Sequence, residues 1–474
     1  MPTVCFLGAG SFFTLPLAVD VMQVETLGGE FRLVDIDTAR LSLSKAVVEL
    51  VAGRLGGGRW SVSATTDRRS ALRGAHYVIN CIEVAGVETV RLDNDIPAKY
   101  GVSQCIGDTI GPGGLMKALR TGPVWLEVLC DCQELCPSAW VLNYTNPMSI
   151  LCLLAARTAP LHVVGLCHSV QGSSRQLADY ARVPYEELEW QCAGINHMAW
   201  FTKLRHGGRD LYPQLRQRVL ESRELWERDP IRFDIMLHLG AFVTESSGHF
   251  SEYVPYYRKR RDLLEKYCRS GYLGQESFYA DNWPRWRQEC DERRRRILAG
   301  AEQLPVQRST EYASYIIEAR ETNTSCVIHG NVPNRTGVPI EVSSGQAGVS
   351  AACRSGVEHC HRHSSFSLTG RGADAALIDN LPHDGIVEVA CTVDASGIHP
   401  QPFGTLPPHL AALCRANMAF FELAATAVIE RSREAAVQAL MVDPLTAAVC
   451  CPAEIRQMAE ELLAAQRAYI PTLS

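Results

Sequence analysis

The sequence predicts an α/β fold: a doubly wound parallel sheet joined to a second, mainly helical α+β domain. Three observations carry this. Short apolar stretches alternate with helical ones through the first two hundred residues, a pattern that gives parallel strands linked by crossover helices. The first apolar stretch, residues 3–8, runs directly into Gly8-Ala9-Gly10-Ser11. The second, 31–35, ends in acids, Asp35 and Asp37.

Along the chain, a helix is expected over 12–26, after the glycine loop, and a longer one over 38–55. Further strands are expected at 60–65, which alternates apolar and hydroxyl residues, and at 75–81, 139–144 and 163–166, which are mainly apolar. From about residue 200 helical patterning dominates, broken by a polar, aromatic loop at 244–257. Strand-like stretches return at 325–330 and 387–393, and the tail from 408 onward is helical, with an amphipathic segment near 453–467. Two domains are expected, 1–195 and 196–474. The first binds a dinucleotide, and the second serves substrate, metal and oligomerisation. Residues 335–377 are rich in Gly, Ser, Arg and His without sustained periodicity and read as an inserted surface loop. Its Cys353, His359, Cys360, His361 and His363 match no zinc-ligand spacing.

Composition narrows the function classes. The 474 residues are 46% hydrophobic and 21% charged, with a net charge of -6, so there is no electrostatic case for nucleic acid or an anionic membrane. The basic runs 258–261 and 293–296 lie in helix-like segments and read as solvated faces. No secretory pattern and no apolar run of membrane-spanning length is evident. Eighteen cysteines, many in apolar stretches, suit a reducing compartment, and a cytoplasmic location is expected.

Gly8, Gly10 and Ser11 lie between a strand and a helix, as a Rossmann-type loop requires. Phe13 occupies the third glycine position, so the match is partial. Asp35 and Asp37 fall where a carboxylate meets the ribose, and an acid there favours NAD over NADP; a turn or helix cap is the alternative for each. Three polar clusters are expected to follow the ends of sheet strands, where doubly wound folds place ligands: Asp108 in Gly107-Asp108-Thr109-Ile110-Gly111, Asn146 in Asn143-Tyr144-Thr145-Asn146-Pro147, and Cys167-His168-Ser169. Cys167 and His197 each follow an apolar strand-like stretch and together offer a thiolate and an imidazole to a divalent transition metal. A core thiol and an ordinary buried histidine are the alternatives.

These motifs together resemble glycoside hydrolase family 4, the NAD- and manganese-dependent glycosidases, and within it the α-galactosidases. The likeness rests on GAGS, VDID, GDTIGPGGLMKALRTGP, NYTNPM, VGLCHSVQG, AGINHMAWF, FVTESSGHFSEYVPYY and GTLPPHLAAL, in order along nearly the whole chain. It implies that Cys167 and His197 hold Mn2+ or another divalent transition metal, and that Asp108, Asn146 and Asn196 contact the sugar. Gly8, Gly10, Ser11 and Asp35 or Asp37 fall on the NAD-binding elements. His168 stands where phosphoglycosidase members carry an acid, which makes it the candidate proton donor. The base is expected in 244–257, with Tyr253 first and Glu245 and His249 as rivals.

The implied reaction is hydrolysis of α-galactosides of the melibiose or raffinose type, by transient oxidation at sugar C3, C2 deprotonation, elimination, water addition and re-reduction. α-Glucosides and α-glucuronides or galacturonides are the alternatives within the family. A hydroxyacid dehydrogenase, which shares the nucleotide domain of malate and lactate dehydrogenases, and an inactive NAD-binding protein are the alternatives outside it. The partner is a small sugar, and a homodimer or homotetramer is expected.

Overall fold

The computed structural model describes residues 1–336 and 375–474. The segment read as an inserted loop lies almost wholly outside them. Strands β1 (Thr3–Leu7), β2 (Gly29–Val34), β3 (Trp60–Thr65), β4 (Tyr77–Asn80), β5 (Trp140–Asn143) and β6 (His162–Leu166) form a parallel sheet of order β3-β2-β1-β4-β5-β6. This is the doubly wound order in which ligands sit beyond the carboxyl ends of the strands. β1 and β4 are fully buried, as expected for strands covered by helices on both faces.

The sheet continues past β6. β7 (Leu188–Ile195) and β8 (Met198–His206) form a hairpin, with β9 (Arg209–Asp210) and β10 (Phe242–Val243) beside β8. β11 (Cys326–Pro333) and β12 (Ile386–Asp394) link that hairpin to β6, and β13 (Gly397–Pro400) flanks β12. All these added pairings are antiparallel. Thirteen strands therefore make one sheet among the described residues, and the boundary expected at 195 falls in the turn between two fully paired strands. β7 and β8 were not anticipated at their full length, because bulky aromatic and polar residues interrupt their alternation.

Helices cover both faces. Gly111–Leu135, the longest, opens with Gly113 pressed so near the preceding loop that a Cβ would lie 2.1 Å from the Gly107 carbonyl oxygen. Pro408–Glu430 is long and apolar enough to cross a membrane by length and composition, contrary to expectation. Its buried residues include Leu410, Cys414, Phe420 and Ala424, and they belong to the cluster that packs the parallel sheet.

The two basic runs are mostly exposed, as expected, but each departs at one residue. Arg258 is wholly buried and donates to the Ser103 and Gly274 carbonyls at 2.7 and 3.1 Å. Arg294, also buried, reaches the nucleotide loop. Guanidinium groups sit inside when backbone carbonyls satisfy them, and charge patterning in the sequence does not reveal that.

Candidate active site

Gly8 ends β1 in the left-handed region at φ 79, and a Cβ there would lie 2.4 Å from the Cys81 carbonyl oxygen. The loop can therefore lie flat against β4 only with glycine. The Gly10 amide donates to Asp35 Oδ2 at 2.6 Å. Asp37 instead caps the helix Thr38–Arg54, accepting the Ala39 and Arg40 amides at 3.1 Å. Of the two acids, Asp35 faces the glycine loop. The sequence reading missed two arginines here. Arg40, paired with Asp291 at 3.0 Å, and Arg294 both donate to the Gly10 carbonyl, and Arg294 also donates to that of Ser11. Arg294 and Asp291 lie on the helix Phe278–Leu298, which thereby holds the loop from across the chain.

The Cys167 thiol, the His197 imidazole and the Glu245 carboxylate place one donor atom each within 4.8 Å of one another. Cys167 follows the end of β6. His197 sits in the two-residue turn between β7 and β8, where Ile195 pairs with Met198, at φ 63. Glu245 follows β10 at φ 72. Left-handed backbone at two non-glycine residues costs on the order of 1 kcal/mol each and collects at functional sites. His197 turns Nε2 toward Glu245, at 3.5 Å, and Nδ1 toward His249 Nε2 and the Tyr253 hydroxyl, at 2.8 and 3.3 Å.

Burial lowers the His197 imidazole to a pKa of about 4, against the opposing pull of Glu245, so it is neutral at pH 7 as a metal ligand must be. His249 behaves oppositely. Burial would depress it, but the hydrogen-bonded Glu252 carboxylate, 3.2 Å from Nδ1, raises it to about 9. Glu252 is itself fixed by the Cys105, Ile106 and Gly107 amides. Burial pushes the Cys167 thiol well above its ordinary value, with Glu388 and Glu245 adding to it. Tyr253 is likewise raised by burial. A donor set of thiol, neutral imidazole and carboxylate fits a borderline divalent metal.

Beside this cluster, Asp108 accepts from Asn146 Nδ2 at 3.1 Å and from the Thr109 hydroxyl at 2.6 Å. Burial would raise its carboxyl, but Lys117 at 3.7 Å and His249 at 4.0 Å outweigh that and hold it at about 2. Lys117 is buried and also pairs with Glu83 at 2.9 Å. Asn196 is completely buried, and neither side-chain amide atom has a partner. An unpartnered buried amide costs roughly 1–3 kcal/mol, which a bound ligand or water would offset.

His168 is mostly exposed and donates to Glu311 Oε1 at 3.1 Å; that hydrogen bond raises its pKa. Glu311 precedes the helix Tyr312–Thr322 and was not foreseen. Glu83, Lys117, Glu252 and Glu388 were missed as well. Glu388 lies on β12, its Oε1 3.3 Å from Asn331 Nδ2 and its Oε2 unpartnered. Burial raises its carboxyl to about 8.

The family 4 glycosyl hydrolase model matches residues 3–183, and the model of that family's C-terminal domain matches 192–341 and 355–446. An α-galactosidase of Bacillus subtilis (strain 168) is 36% identical over 99% of this chain and 99% of its own length. An α-galactosidase of Rhizobium meliloti (strain 1021) is 33% identical over 99% of this chain and 89% of its own. In fold, the chain resembles a 6-phospho-α-glucosidase from gut microorganisms solved with NAD and Mn2+, with TM-score 0.76 and 19% identity, covering 99% of both chains. It also resembles the Thermotoga maritima 6-phospho-β-glucosidase solved with manganese, NAD+ and glucose-6-phosphate, with TM-score 0.72 and 22% identity, covering 99% of this chain and 100% of that one. The chain belongs to family 4 of the glycosyl hydrolases.

Proposed function

We propose that this protein hydrolyses α-galactosides of the melibiose or raffinose type, with NAD as a recycled cofactor and Mn2+ or a similar divalent metal. The observation that carries the reading is the placement of the Gly8–Gly10 loop, Asn146 and Cys167 after the carboxyl ends of β1, β5 and β6 of one parallel sheet, with Asp108 bonded to Asn146 and the Cys167–His197–Glu245 cluster joined to Asp108 through His249. The two α-galactosidases similar over the whole chain support galactose. Charge supports an unphosphorylated sugar. Glu83, Asp108 and Glu245 face Lys117, already paired twice, and His249, already paired with Glu252, so the added negative charge of a phosphate is disfavoured there.

When bound, NAD would supply a hydride acceptor for sugar C3, and the divalent metal would supply Lewis-acid polarisation of the sugar oxygens. Residues 1–195 hold NAD through Gly8, Gly10, Ser11 and Asp35, and residues 196–474 complete the sugar and metal site. Cys167 and His197 hold the metal. Asp108, in its ionised state, accepts a sugar hydroxyl and is itself oriented by Asn146 and Thr109; Asn196 supplies a free amide. Tyr253 takes the C2 proton, for which its buried phenol must be drawn down by nearby positive charge. His168, whose pKa the Glu311 hydrogen bond raises, gives its proton to the glycosidic oxygen. The enzyme works as a homodimer or homotetramer in the cytoplasm.

The test is hydrolysis of p-nitrophenyl α- and β-galactosides and glucosides with NAD+ and Mn2+ under reducing conditions. Release from the α-galactoside, lost on chelation and in Cys167→Ser, is expected. Undiminished hydrolysis by that variant with chelator present overturns the reading.

A further inference from the structure

The geometry points to Glu245 as a third protein ligand of the metal, completing a thiolate–imidazole–carboxylate set with Cys167 and His197. This deepens the proposed function and rests on its metal site. Its donor atoms lie within 4.8 Å of one another, and the 3.5 Å between His197 Nε2 and Glu245 Oε2 is about the separation of two ligands on one tetrahedral cation with bonds of roughly 2.0–2.2 Å. The edge of His197 facing Glu245 carries Nε2, 3.5 Å from Oε2. The other edge is taken by His249 and Tyr253.

The backbone delivers Glu245 to this point from both sides. Upstream, Val243 pairs with Trp200 of β8, and Thr244 exchanges hydrogen bonds with Ala199, its amide donating at 2.9 Å and its hydroxyl accepting at 3.0 Å. The same strand starts at Met198, next to His197, so one register fixes both ligands. Downstream, Ser246 caps the short helix Ser247–Phe250, accepting the His249 amide at 3.3 Å, and the Ser247 hydroxyl accepts the Ile231 and Arg232 amides at 3.1 and 3.2 Å. Between these anchors Glu245 adopts φ 72, a conformation that asparagine or glycine would take more readily. A carboxylate kept there against backbone preference is placed for its charge.

The consequence is electrostatic. Thiolate plus carboxylate neutralises a divalent cation, so the metal is retained before sugar arrives. Tyr253, on the far edge of His197, remains the group free to act as base.

The experiment measures Mn2+ binding to NAD-free protein by paramagnetic resonance of the free ion, with Co2+ absorption as a second readout. Neither needs turnover. Glu245→Gln is expected to weaken Mn2+ binding by about 100-fold or more, beyond the loss typical of an outer-shell partner, and to keep the thiolate-to-Co2+ band that Cys167→Ser abolishes. Glu245→Asp is expected to recover part of the affinity with shifted Co2+ bands; it carries the test should the glutamine variant fail to fold. Affinity and bands unchanged in Glu245→Gln, or in Glu245→Asp, while Cys167→Ser loses both, overturn Glu245 as a ligand and leave the two-ligand site standing. Absence of Mn2+ binding by the unaltered protein overturns both.

Discussion

His249 presents Nε2 to His197 Nδ1 at 2.8 Å, on the ring edge opposite the one that faces Glu245. His197 is therefore oriented from behind, and Glu252 holds His249 in turn. Partners of this kind fix a ligand's tautomer and typically change metal affinity 10- to 100-fold when lost. His249→Phe should weaken Mn2+ binding within about that range, read by the same titration, while circular dichroism is unchanged. Unaltered affinity would show that His197 needs no such support.

The Glu311–His168 pair predicts a dependence on the leaving group. A proton donor matters for the poorly departing sugar of melibiose and little for p-nitrophenolate. His168→Ala should lower kcat on melibiose by about 10²- to 10⁴-fold and far less on p-nitrophenyl α-galactoside. Glu311→Gln removes the hydrogen bond that raises the His168 pKa, so the basic limb of the kcat profile should move to lower pH. Equal losses on both substrates would remove His168 from the acid role.

Glu388 makes a stability prediction. Its folded pKa of about 8 lies above the ordinary value of 4.5, through burial. The stabilising contribution of the bound proton is thus full below about pH 4.5 and disappears as pH rises through 8. Metal-free protein should lose on the order of 1 kcal/mol between pH 7 and 9, and Glu388→Gln should flatten that part of the melting profile. A variant with an equally steep decline would contradict this.

Gly8→Ala places a Cβ 2.4 Å from the Cys81 carbonyl at φ 79. A loss of more than about 1 kcal/mol in stability is expected, together with loss of NAD binding by fluorescence titration. Retained NAD affinity would mean that the cofactor does not approach this loop.

Much of this was legible in the chain because the chemistry sits on short, local signals. The glycine loop, Asn146, Cys167 and His197 each follow a strand end, whereas Asp108, expected after a strand, lies between the helices Gly86–Lys99 and Gly111–Leu135. What stayed hidden depends on register between distant strands. Glu245 meets His197 only because β10 pairs with β8, Glu388 lies behind Cys167 only through β12, and Arg294 reaches Gly10 across 284 residues. The extension of the parallel sheet into seven more strands was hidden too, since β7 and β8 pair over nearly their full length without clean alternation.

Hydrolysis of melibiose in D2O tests the central claim most directly. Transient oxidation at C3 with proton removal at C2 predicts NAD+-dependent release of galactose carrying deuterium at C2, with no lasting NADH. Galactose released without C2 deuterium, at a rate indifferent to NAD+, would contradict it.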